Sequence, residues 1–78
     1  MIGFERITFD SNIMGGKACI RGMRITVSLI VNLLANGMSE KEILKEYSSL
    51  EKEDIQQALQ YAAWLADESS FSLESMSA

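Results

Sequence analysis

The sequence predicts a mainly α fold: a trihelical helix-turn-helix-like (homeodomain-like or winged-helix-like) domain with a short N-terminal β arm. Three observations lead there. The apolar pattern changes from rough alternation to a helical period at Thr26. The stretch MSEKEI, residues 38–43, carries a helix-start signature. Two short helices, a four-residue turn and a longer third helix together give the layout of a helix-turn-helix. The domain spans 1–66, with the β arm over 1–25, and an acidic, serine-rich tail occupies 67–78.

In the arm, FERITF (4–9) mixes Ile, Thr and Phe with charge in imperfect alternation, which suits a short strand. Asp10, Ser11 and Asn12 form a turn cluster whose side chains bond their own backbone. Gly15-Gly16 is a second turn, Lys17–Ile20 a second short strand, and Gly22 ends that strand. Helix 1 is expected over 26–36, where Val27, Ile30, Val31 and Leu34 fall at i, i+3, i+4, i+7. Leu29 and Leu33 widen that face, Thr26 suits the N-cap, and Gly37 suits the left-handed residue after the end.

Helix 2 is expected over 40–46. Ser39 with Glu42 three residues on is a capping box, and Met38 with Ile43 the matching hydrophobic staple. Ile43, Leu44 and Tyr47 turn inward, and Ser48–Leu50 make the turn. Helix 3 starts near Glu51, where the acids of EKED suit the positive end of a helix dipole. Its inner stripe is Ile55, Ala58, Leu59, Ala62 and Ala66, with Tyr61, Trp64 and Leu65 beside it. Phe71, Leu73 and Met76 give the tail apolar points that suit a partner surface.

Composition excludes several functions. The 78 residues include one cysteine and no histidine, which rules out an internal disulfide, Cys/His zinc sites and a histidine base. Cys19 reads as a small buried apolar residue. No cofactor is expected. No apolar run approaches the roughly 18–20 residues of a membrane span, and MIGFERITFD lacks a signal-peptide pattern, so a cytoplasmic location is expected. With 47% hydrophobic residues on so small a body, self-association or a partner is favoured.

Net charge is −4, unevenly spread. Residues 1–26 set Arg6, Lys17, Arg21 and Arg24 against Glu5 and Asp10, and residues 27–78 set three lysines against nine acids. A polyanion would therefore meet the front of the chain. GGKACIRGMRIT (15–26) is not a phosphate loop, because its lysine stands at the wrong end and is followed directly by Ala18, not by a Ser or Thr. Its glycines suit turns; its cations are solvated, or meet DNA phosphates or a partner's acids. At the start of helix 3, Gln56, Gln57 and Gln60 suit adenine edges, but Glu51, Glu53 and Asp54 would oppose docking on phosphates. Glu42 and Glu46, beside Lys41 and Lys45, read as a solvated face.

Residues 7–62 resemble the "domain of unknown function 433" family of small bacterial and archaeal proteins. The resemblance is carried, in order, by Gly16, Lys17, Ile20, Gly22, Arg24, Ile25, Val27, Gly37, Ser39, Glu42, Ile43, Tyr47, Leu50, Asp54, Ile55, Ala58, Leu59, Tyr61 and Ala62. Ala18 and Ser48 stand where the family pattern has proline, and Met23 where it has threonine. The resemblance implies a helix-turn-helix-like fold. It also implies, from some members, an antitoxin-like, non-enzymatic protein that neutralises a PIN-like toxin ribonuclease and binds its own operator as a homodimer. On that reading Arg6, Lys17, Arg21 and Arg24 touch phosphates, Gln56 and Gln57 touch bases, and Phe71, Leu73 and Met76 face the toxin. The alternative is a protein-interaction or oligomerisation module without nucleic-acid binding. Neither reading calls for a membrane or a small-molecule substrate.

Overall fold

The computed structural model describes the backbone of residues 3–77 and the side chains of residues 3–67. The chain is mainly α, as its pattern predicts. A two-stranded antiparallel hairpin, β1 (Ile7–Thr8) with β2 (Cys19–Ile20), precedes three helices: α1 (Val27–Ala35), α2 (Glu40–Glu46) and α3 (Lys52–Ser77). Ile7 pairs with Ile20 and Thr8 with Cys19. The strands are shorter than the alternation suggests. The ladder is extended on the other side of β2, where Cys19 bridges to Thr26 and the Val27 N–H donates to the Ala18 carbonyl.

Each helix boundary has a local cause. The Thr26 hydroxyl accepts from the Leu29 N–H at 2.9 Å and opens α1. At the other end Gly37 takes φ +94°, its N–H donates to the Leu34 carbonyl, and the Met38 N–H donates to the Leu33 carbonyl. These two bonds make a Schellman stop, which satisfies carbonyls the helix leaves open. The capping box of α2 is complete: Ser39 Oγ accepts from the Glu42 N–H, and Glu42 Oε1 accepts from the Ser39 N–H.

Between the helices and the hairpin lies one core. Ile7, Ile20, Val27, Ile30, Ile43, Leu50, Ile55, Ala58 and Tyr61 are buried in it, and Cys19 is buried as expected. The stripe expected for helix 3 needs correction. Leu59 is 41% exposed and Ala66 is exposed, whereas Asp54 and Gln57 are buried. The helix is rotated because its two polar residues find fixed partners inside, which a hydrophobicity pattern does not register. α3 also runs on past residue 66 to Ser77, through a segment that holds no Gly or Pro to stop it.

Aromatic rings fasten the arm to α3. Phe4 meets Tyr61 edge-on with centroids 5.4 Å apart, Phe9 meets Tyr61 at 6.1 Å, and Trp64 lies 6.0 Å from Tyr61.

Candidate functional site

Two features dominate the described surface, an ionic clasp and an apolar groove. The clasp is centred on Asp54, in the first turn of α3, whose side chain is fully buried. Arg21 grips it with two donors, Nε to Oδ1 at 3.0 Å and Nη2 to Oδ2 at 2.7 Å. Arg6 Nη1 donates to Oδ1 at 2.8 Å and also to Glu51 Oε1 at 2.8 Å. The Glu51 N–H donates to Oδ2 at 2.7 Å, so Asp54 also satisfies one of the open N–H groups at the start of α3. Beside the clasp, Gln57 Oε1 accepts from the backbone N–H of Arg6, and Arg21 Nη2 reaches the Ser49 carbonyl.

The clasp fixes charge as well as position. Burial alone would push the Asp54 carboxyl up, but hydrogen bonds from Arg21, then Arg6, then the Glu51 N–H outweigh it and hold the group at about 2. Glu51 and then Asp54 hold the Arg6 guanidinium above its ordinary value, and Asp54 does the same for Arg21.

Arg21 sits at φ +45° and Gly22 at φ +74°, and the Met23 N–H closes onto the Ile20 carbonyl at 2.8 Å. This is a tight turn of the primed kind, in which both central residues need positive φ. For arginine that conformation costs on the order of 1 kcal/mol, which the bidentate grip on Asp54 offsets.

These contacts regroup the sequence-predicted residues. Arg6 and Arg21 point into the clasp, and Gln57 is buried with its amide oxygen already engaged. Lys17, Arg24 and Gln56 are exposed, and neither Lys17 nor Arg24 has a side-chain hydrogen bond or ion pair among the described residues. The side chains of Phe71, Leu73 and Met76 lie outside the described residues. Thus the predicted set does not form one positive surface.

The groove was not foreseen. It has a volume of about 380 Å³ and lies between the arm, α1 and α3. Phe9, Val27, Val31, Tyr61, Ala62 and Leu65 form its apolar walls, and Lys17, Ser28 and Asn32 supply its polar groups. Phe9 is 50% exposed and Leu65 44%. A hint was available in the sequence, since Val27 and Val31 of helix 1 and Ala62 and Leu65 of helix 3 are all apolar. Which of them stay uncovered depends on how two helices are rotated, and no local pattern carries that.

The model of the family described as "Protein of unknown function (DUF433)" matches residues 7–62, most of the chain. This protein belongs to the DUF433 family. Its fold is also similar to the crystal structure of a DUF433 member protein from Anabaena variabilis ATCC 29413, at 32% identity and a TM-score of 0.75. That similarity covers 81% of this chain and 62% of the other, so this chain spans less than two thirds of its solved relative. Among curated proteins none matches. The matched segment holds Asp54, Arg21 and most of the groove, but Arg6 and Leu65 fall just outside it.

No helix among the described residues is long and apolar enough to cross a membrane. Among the same residues no three His, Cys, Asp or Glu side chains are grouped to hold a metal ion.

Proposed function

We propose that this DUF433 protein is a non-enzymatic protein-interaction module that binds another polypeptide through the apolar groove between arm, α1 and α3. The observation that carries the reading is the groove itself, with Phe9 and Leu65 open to solvent on its walls. An apolar concavity with a few polar groups is the usual form of a binding site, and aromatic side chains supply most of the energy at such places. The setting implied by the family resemblance is antitoxin-like, with a PIN-like toxin ribonuclease as hetero-partner. The test is co-expression with the protein encoded beside it, then measurement of the mass of the complex. Leu65→Asp should weaken a groove-mediated complex by at least about tenfold. A complex that forms equally well with this variant would contradict the reading.

A second reading, operator binding, is supported by Lys17, Arg24 and Gln56, which remain exposed. Two observations weigh against it. Arg6 and Arg21 spend their charge on Asp54 and Glu51, and the exposed start of α3 carries Glu51 and Glu53. A mobility shift on upstream DNA at low salt decides between them. Retardation that falls steeply with salt and is flattened by Arg24→Gln would establish the second reading.

A further inference from the structure

We propose that the occupant of the groove is the acidic, apolar C-terminal part of α3 from a second copy of this chain. Two chains would then exchange helix ends about a two-fold axis. This rests on the protein-interaction reading above and names its partner.

The shape of the molecule is the first argument. Its radius of gyration is 13.7 Å, against about 11.5 Å for a compact chain of 78 residues. It exposes 5407 Å² of surface, against roughly 4,700 Å² for a compact monomer of its 8.7 kDa. The excess has a visible source. α3 holds 26 residues, a rod of about 39 Å, and the molecule is only 29 × 20 Å across its two shorter axes.

The second argument is where the helix leaves. Leu65 is a wall of the groove, and the helix continues for twelve residues beyond it, to Ser77. A two-fold axis passing beside α3, on its groove side just past Leu65, therefore sets each helix end antiparallel to the partner's α3. The same operation lays that end along the partner's groove. Such an interface is isologous and closes at two copies, where a head-to-tail contact would propagate. By spacing, Leu65, Leu73 and Met76 fall at i, i+8 and i+11, within about a quarter-turn of one another on a helix.

Charge is the third argument. Residues 67–78 carry Asp67, Glu68 and Glu74 and no cation. Of the four cations in the first 26 residues, Arg6 and Arg21 are held by the clasp, and Lys17 stands at the groove. An acidic helix end with apolar side chains complements an apolar groove that presents a free ammonium.

Sedimentation equilibrium of the full chain tests the proposal. The expected mass is twice 8.7 kDa, with Leu65→Asp weakening association by at least about tenfold and Lys17→Glu by a few-fold. Adding Glu74→Lys to Lys17→Glu should restore the association. Leu65 and Lys17 are both exposed, so circular dichroism should show these variants folded. Mixing a Ser28→Cys protein with a Ser72→Cys protein under oxidation should give a cross-linked pair that Ser28→Cys alone does not. A single-chain mass at all concentrations, or a dimer indifferent to Leu65→Asp and to the cross-linking pair, would overturn the helix exchange. If the chain is monomeric and Leu65→Asp still abolishes a hetero-complex, the exchange fails while the protein-interaction reading stands.

Discussion

Asp54 ties the arm to α3 at two points, because it takes both Arg6 from before β1 and Arg21 from the turn after β2. Asp54→Ala would leave two guanidinium groups without their common partner and open one N–H of α3. We expect a loss of about 2–4 kcal/mol, read as a lower urea midpoint, since removing one side of a buried charge pair strands the other. The pH dependence has the same geometric origin. The Asp54 carboxyl sits at about 2 in the folded chain and near 4 when unfolded, so its stabilisation is complete above about pH 4 and is lost as pH falls toward 2. Glu42, lowered by the Ser39 N–H and then the Ser39 hydroxyl, acts in the same direction. Urea midpoints measured from pH 7 to pH 2.5 should therefore fall with acid in the wild type and fall less in Asp54→Asn. None of this was legible in the sequence. An aspartate three residues into a helix and arginines at positions 6 and 21 look like separate surface charges until the fold joins them across 33 and 48 positions.

At the scale of elements, local chemistry decides the boundaries, and the sequence was most informative there. Thr26, Gly37, Ser39 and Glu42 all act as their types and spacing predict, because caps depend on neighbours within four residues. Ser39→Ala should cost about 1 kcal/mol in thermal or urea unfolding, since it removes the acceptor for the Glu42 N–H. Gly37→Ala should cost about 1 kcal/mol as well. An added Cβ there meets nothing within 4 Å, so the whole penalty is the left-handed backbone at φ +94°. What the elements do to one another was less legible. The rotation of α3 buries Gln57 and exposes Leu59, an inversion of hydrophobic order that the contacts of Gln57 with Arg6 and of Asp54 with Arg6 and Arg21 explain.

As a whole, the molecule uses two of its four front-loaded cations, Arg6 and Arg21, to hold itself together and leaves an apolar groove open. That division supports our central proposal, that the surface offered outward receives a polypeptide in preference to nucleic acid. The fold class was readable because three helices and an arm leave periodic traces. The groove was not, because it is a space between elements, and the same space explains why a chain of this size keeps Phe9 and Leu65 uncovered. The most direct measurement is an amide-resolved NMR spectrum of the labelled full chain, recorded over dilution and then with a DNA duplex at low salt. The account predicts concentration-dependent shifts at Phe9, Val27, Ser28, Val31 and Leu65, and no change on adding the duplex. Constant groove signals, with duplex-induced shifts at Lys17, Arg24 and Gln56, would contradict it.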